Sequence, residues 1–264
     1  MKFKPTKHML SALAGILFII FLAASATQKV APPPPPPTIK VPMYDYAPPQ
    51  NEKPKSAQVV FLLVDPSYQD KFKFSSYKLF SDFSKAMSAD YNEALTAKGY
   101  TVRGPFEYYD QVVYSDKKES DLLLSVEIDF DLNDQNIKWV AHQYYVSGKG
   151  KYAQFGTNYS IDGFFVLSGK VNMVVSEPIT REKLWAKSIP LKQKEIPVSS
   201  SYYYEQLKNY NSAFTKDPTV INPIIKALEE YYQHVFTTSW NHLDPNELTP
   251  LKKEVVEIRE KKKY

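Results

Sequence analysis

The sequence predicts an α+β fold: a mixed β-sheet with a βαβ-type crossover helix, a β-hairpin region and C-terminal helices packed on one face. Three stretches carry this. Phe80, Phe83, Met87, Tyr91, Ala94 and Leu95 recur at spacings of three and four, which places them on one side of an α-helix. The run 121–130 begins as solid apolar sequence and then alternates, with Val126, Ile128 and Phe130 on one face of a strand. From Lys138 to Leu191 the pattern is almost wholly of strand type, and helical spacing returns after Asn222.

The elements follow in order. Val59 to Val64 is a short, unbroken apolar run closed by Asp65-Pro66, as expected of a central strand buried on both faces. The Phe80 helix comes next. Gly99 stands where a helix ends in the left-handed conformation that only glycine enters without a Cβ clash. Tyr100 to Arg103 reads as a short strand stopped by Gly104-Pro105, so strand, helix and strand make one crossover unit. Tyr108 to Glu119 is polar and aromatic and has room for a short helix.

Beyond it, Trp139, Ala141, Gln143 and Tyr145 share one strand face, and Val140, His142, Tyr144 and Val146 the other. Gly148-Lys149-Gly150 marks a turn. Tyr159 to Val175 is one long strand or two, with Gly163 or Gly169 permitting a bulge. Lys183 to Ile189 pairs back on it as a hairpin. Residues 198–218 form a polar loop rich in tyrosine. Asn222 and Pro223 have the chemistry of a helix start, with Ile224, Leu228, Tyr231, Val235 and Phe236 on the apolar face. Thr249-Pro250 opens a last helix that ends in basic sequence from Arg259 to Lys263, which suits a helix C-terminus.

The predicted organisation has four parts. Residues 1–26 carry Lys2, Lys4 and Lys7 before an apolar run from Met9 to Ala26. That is an export signal, with Ala24 and Ala26 flanking Ser25 as a small-x-small cleavage site, or an uncleaved membrane anchor. Residues 27–55 are a proline-rich linker whose hexaproline, Pro32 to Pro37, forms a polyproline II rod. It is a spacer, a ligand for an aromatic groove, which Tyr44 and Tyr46 favour, or a disordered low-complexity stretch. Residues 56–243 are the α+β domain, and 244–264 the basic helix.

Several chemistries are excluded or unsupported. The chain has no cysteine, so it has no disulfide, thiolate metal site or cysteine nucleophile. A net charge of +4 without a basic stripe gives no nucleic-acid footprint. Asp65-Pro66-Ser67-Tyr68 cannot cradle a phosphate, so no nucleotide cofactor is expected. Asp129, Asp131 and Asp134 lack the glycine and the distal glutamate of a calcium loop. No catalytic or metal-binding constellation assembles, so the expectation is a protein that is not an enzyme and needs no cofactor. Asn158-Tyr159-Ser160 matches a glycosylation sequon, a pattern common by chance. The candidate binding surface is Tyr202, Tyr203 and Tyr204, because tyrosine gives large contact area at low entropic cost.

Val60 to Leu63, Ala97 to Val102, Ser115 to Glu119, Val174 to Pro178 and the stretch from Ile224 to Lys263 together carry a family likeness. On these residues the chain resembles the neuraminyllactose-binding haemagglutinin family of Helicobacter-type bacteria, over residues 56–263. The resemblance implies a non-enzymatic envelope protein with a binding or structural role at the outer membrane or the flagellar sheath. Its implied partners are a host glycan or an envelope protein, with membrane contact through the N-terminal segment. Two departures limit it. Ser25 stands where the family carries its lipid-bearing cysteine. Asn136 to His142, with the single lysine Lys138, stands where the family has a Lys/Arg-rich ligand motif, so no ligand residue carries over. The alternative expectation is a periplasmic scaffold anchored in the inner membrane on the polyproline spacer.

Overall fold

The structure, a computed structural model, describes residues 37–49, 57–200, 204–205 and 210–264. The cleavage site at Ala24 and Ala26 and the hexaproline up to Pro36 lie outside the described residues.

The crossover unit forms as expected. β1 (Val60–Val64) runs parallel to β3 (Thr101–Phe106) on one side and to β4 (Leu122–Asn133) on the other, with α1 (Lys78–Ala97) between β1 and β3 in the chain. β2 (Ser67–Tyr68) adds a short parallel pairing to β4. Helix α1 ends as its sequence predicts. Gly99 has φ +90°, its N–H bonds to the Thr96 carbonyl, and the Tyr100 N–H reaches the Leu95 carbonyl. β3 corrects one expectation: it does not stop at Gly104-Pro105 but runs through it with a register shift against β1. Proline is tolerated there because β3 is an edge strand, so the missing N–H faces away from the ladder.

The sheet is built along one strand, β6 (Gln154–Ser176), of 23 residues. Its C-terminal part pairs antiparallel with β4, from Leu123↔Ser176 to Asn133↔Val166. Its N-terminal part pairs antiparallel with β5 (Ile137–Ser147). β4 and β5 thus occupy successive lengths of one edge of β6. The other edge takes β7 (Lys183–Ser199) and β8 (Tyr204–Glu205). Gly163 sits at the junction of β4 and β5 with φ +130°, and a Cβ there would lie 2.1 Å from the Asn136 carbonyl oxygen. Only glycine lets the long strand pass that carbonyl, which is how β6 stays one strand. β7 is longer than the expected hairpin arm and takes in the start of the loop read from Val198.

Alternation in β4 decides where the core lies. Leu122, Leu124, Val126, Ile128, Phe130 and Leu132 are buried on one face. Against them pack all six apolar positions of α1 named above and the apolar face of α4 (Pro218–His242), including Ile224, Leu228, Tyr231, Val235 and Phe236. On the opposite face Leu62, Leu123 and Val112 meet near β1 beside α2 (Tyr114–Glu119). Further along β4 that face carries Ser125, Glu127, Asp129, Asp131 and Asn133. The Asp129 carboxylate is 2.7 Å from Lys71 Nζ and 3.8 Å from Lys170 Nζ, so lysines occupy the acid weighed as a calcium ligand.

Helix α4 begins one turn earlier than the sequence predicts. Asp217 is its N-cap, accepting the Thr219 N–H at 2.9 Å, and Pro218 fills the first helical position. Asn222-Pro223 has the same start chemistry, but Asn222 is used elsewhere. Its Oδ1 accepts the Lys40 N–H and its Nδ2 donates to the Thr38 carbonyl, both at 2.9 Å.

Those bonds correct the extent of the linker. Residues 38–49 lie extended on the domain, so the stretch 27–55 includes a strap that belongs to the fold. The Met43 N–H donates to Glu229 at 2.9 Å, and Gln233 Nε2 donates to the Asp45 carbonyl at 2.8 Å. Tyr44 stacks on Tyr232 with ring centroids 5.4 Å apart, and Tyr46 stacks on Phe236 at 5.3 Å. The two tyrosines expected to support docking onto another protein dock onto this one. The sequence hides this because a proline-rich segment with two aromatics has no periodicity to read.

At the end of the strap, buried Asp90 accepts the Tyr46 N–H at 2.8 Å and the Tyr232 hydroxyl at 2.6 Å. Burial raises its carboxyl above the ordinary range, and these two hydrogen bonds offset part of the rise. A carboxyl raised by folding binds its proton more tightly in the folded protein than in the unfolded chain. That contribution to stability is complete below the unfolded value of about 3.9 and is lost as the pH rises through the folded value. Asp90→Asn keeps an acceptor oxygen and removes the charge. Its melting temperature relative to the parent should therefore improve by a few degrees between about pH 3 and pH 7, measured by thermal unfolding at fixed ionic strength. A difference that does not change with pH would show that Asp90 is not strained by its burial.

Candidate functional site

Among the described residues, two grooves open on the domain. One, of about 600 Å³, lies between β7 and α4 and is lined by Lys192, Lys194, Lys226, Glu195 and Glu230 among others. Lys194 pairs with Glu230, whose carboxyl is held below its ordinary range chiefly by that hydrogen bond, and the named lining residues carry one positive charge more than negative. The other, of about 420 Å³, is lined by Lys71, Lys73, Asp131 and Asp134. Burial pushes Asp134 up, but hydrogen bonds from Lys73 and Tyr210 outweigh it and hold the carboxyl below the usual range. Lys73 Nζ stands 3.1 Å from it. Neither groove aligns a nucleophile with a base. Among the described residues, no group of three or more acids or histidines is placed to hold a metal.

The feature that stands out from the domain is the β5–β6 hairpin. From Val140 to Ser147 every residue except His142 is exposed, and both faces of the strand are represented. Eight residues at about 3.3 Å each give an arm of roughly 25 Å. Its side chains fall as the sequence predicts. Tyr145 and Phe155 lie opposite each other on one face, with ring centroids 6.1 Å apart and edge-on. Tyr144 lies on the other face over Gly156, where a Cβ would come within 2.4 Å of the ring. Cross-strand aromatic contacts of this kind stabilise a ribbon that has little else to bury.

The tip is a short turn, Gly150–Tyr152, reached through Gly148, whose carbonyl accepts the Tyr145 hydroxyl. Tyr145 is 58 % exposed, Val146 54 %, Tyr152 73 % and Phe155 63 %. Surface apolar residues scattered singly are ordinary, but here Tyr145 and Phe155 are in ring contact, and Val146 and Tyr152 lie within a few residues of them, so the end of the arm is rich in exposed apolar side chains. Residues 138–160 contain Lys138, Lys149 and Lys151 and no acid, so this one hairpin carries three of the chain's four net positive charges. None of these lysines is in an ion pair among the described residues.

The arm is rooted firmly. At its base Trp139 packs on Tyr210 of α3 (Tyr210–Lys216), with centroids 5.3 Å apart, and Tyr210 packs in turn on Phe165 and Phe214. The expected site residues are placed as follows. Tyr202 and Tyr203 lie outside the described residues. The backbone of Tyr204 pairs with Tyr159, so the tyrosine-rich loop returns to the base of the arm. The sequon residue Asn158 is in the paired part of β6, its Oδ1 buried and without a hydrogen-bond partner.

Sequence reasoning placed residues 138–159 in strands and missed that they leave the domain. The signal was available: a strand with one face on a core should be polar on the other, yet β5 carries Val140, Tyr144 and Val146 on one side and Ala141 and Tyr145 on the other.

No family model and no curated protein matches the sequence. Among solved structures, a protein from Helicobacter pylori described as a neuraminyllactose-binding hemagglutinin homolog is similar over 80 % of this chain and 98 % of its own, at 14 % identity and a TM-score of 0.51. A protein of unknown function from Xanthomonas campestris matches over 83 % of this chain and 99 % of its own, at 9 % identity and a TM-score of 0.36. A lipoprotein from Neisseria meningitidis matches over 64 % and 99 %, at 13 % identity and a TM-score of 0.27. The likeness to the Helicobacter pylori structure shows that this chain has the same α+β fold.

Proposed function

We propose that this chain is an exported protein of the cell envelope that works by binding and not by catalysis, with the β5–β6 arm as its binding element. The observation that carries the reading is the arm itself: a rooted hairpin that presents aromatic side chains, and lysines that form no ion pair among the described residues, to its surroundings. The lysine-flanked apolar run before Ala26 supports export. The fold shared with the Helicobacter pylori protein supports an adhesin-like or structural role at the outer membrane or flagellar sheath, and the name of that protein makes a sialylated host glycan one partner to test.

A second reading, a periplasmic scaffold anchored in the inner membrane, is favoured by the strap. Thr38, the residue directly after the hexaproline, is tied to α4 through Asn222. Intact mass and N-terminal sequencing from separated envelope fractions decide between them, together with trypsin treatment of whole cells. A chain starting at Thr27 in the outer fraction, nicked by external trypsin after Lys149 or Lys151, is the result expected of the first reading. A chain that keeps residues 9–26, sits in the inner fraction and is shielded from trypsin would establish the second.

A further inference from the structure

The geometry points to a specific partner for the arm: the headgroup surface of an anionic phospholipid bilayer, into which the tip inserts its aromatic side chains. This rests on the reading of the arm as the binding element and names its ligand. The tip has the composition of an interfacial anchor. Tyr145, Val146, Tyr152 and Phe155 are apolar or amphipathic bodies that gain by leaving water. Tyrosine rings in particular settle at the level of the headgroups. Lys149 and Lys151 flank that patch at the turn, where each would meet lipid phosphate as the rings enter. The backbone is suited as well: at the tip the Tyr152 N–H donates to the Lys149 carbonyl and the Ala153 N–H to the Gly150 carbonyl, both at 3.1 Å.

The same observations disfavour other occupants. A sugar is held by converging polar groups in a concavity, and this tip is convex. A second copy of the arm would set lysine against lysine, with no acid between residues 138 and 160 to receive them. An anionic surface meets both the charge and the shape.

The absence of cysteine allows a direct test. Ser147→Cys in the full chain, labelled with an environment-sensitive fluorophore, reports on the tip itself, whatever the N-terminal segment does. With vesicles of phosphatidylglycerol and phosphatidylcholine, the emission should shift to the blue and be quenched by brominated acyl chains. With phosphatidylcholine alone it should not. Lys149→Ala with Lys151→Ala should raise the lipid concentration for half-response by roughly 30-fold, about 5-fold for each lysine. Tyr152→Ser with Phe155→Ser should abolish quenching with the lysines intact.

A response of equal size on phosphatidylcholine, or one that grows with protein concentration in the absence of vesicles, would overturn the inference. A response to sialyllactose or to an envelope extract, with none to vesicles, would overturn the lipid assignment and leave the arm as the binding element. No response to any of them would overturn both.

Discussion

Arg259→Ala should destabilise the domain by about 3–5 kcal/mol, the range for leaving a buried charge without its partner. The charge is Glu177, at the start of the turn between β6 and β7, with its side chain fully buried. Arg259 Nε donates to Glu177 Oε1 at 2.8 Å. The other carboxylate oxygen accepts the Ile179 N–H at 2.8 Å and the Thr180 N–H, so it holds the turn in shape. The two ends of the guanidinium reach further. One donates to the Lys118 carbonyl at 2.8 Å, the other to those of Lys117 and Ser120 at 3.1 and 2.9 Å.

One side chain thus ties α6 (Leu251–Lys262), the end of α2 and the β6–β7 turn together. Lysine lacks the planar fork and cannot make these bonds at once, so Arg259→Lys should recover only part of the loss. Urea unfolding of the two variants, of Glu177→Gln alone and of Glu177→Gln with Arg259→Ala checks this. The double variant should lose clearly less than the sum of the single losses, because it leaves no orphaned charge. A loss below about 1 kcal/mol for Arg259→Ala would mean that the pair behaves as an ordinary surface ion pair.

Phe83→Ala should cost a similar amount, about 3–5 kcal/mol, for a different reason. Phe83 is fully buried, where four parts of the chain meet. Its ring lies 5.3 Å from Tyr44 of the strap, 5.4 Å from Phe130 of β4 and 5.4 Å from Tyr232 of α4. Three of its neighbours are themselves rings, which do not collapse readily into the space left, so most of the cavity should persist. The expected fall in melting temperature is roughly 10 °C at 2–4 °C per kcal/mol. Faster amide exchange at Met43 and Tyr46, whose N–H groups are held by Glu229 and Asp90, would show that the strap loosens with the cavity. Unchanged exchange there would mean that the strap is held by its hydrogen bonds and not by the ring of Phe83.

The parts of the fold that the sequence states plainly are those governed by local periodicity. The six apolar positions of α1, the Gly99 cap, the alternation in β4 and the two faces of β5 can all be read in order. In each case the signal lies within a few neighbouring residues, and for α1 and β4 it marks the side that the element buries. Where two local signals compete, the sequence misleads. Asp217-Pro218 and Asn222-Pro223 are both good helix starts, and nothing nearby says that Asn222 is taken by Thr38 and Lys40, which are distant in the chain. Gly104-Pro105 reads as a stop until β3 is known to be an edge strand.

The candidate site was the least legible part. The tyrosines at 202–204 draw attention by composition, whereas the arm is marked only by the apolar residues that β5 carries on both faces. Whether a strand lies in a sheet or runs beyond it depends on what its partners cover, and periodicity is blind to that. By itself, the sequence determined the α+β class, the crossover helix, the absence of cysteine chemistry and the charge of the hairpin, because composition and short-range spacing contain them. Only the tertiary structure decided that residues 38–49 are a strap, that Arg259 pairs with the buried Glu177 and that the hairpin projects as an arm. Each of these depends on contacts between residues far apart in the chain, whose free energy no local pattern records.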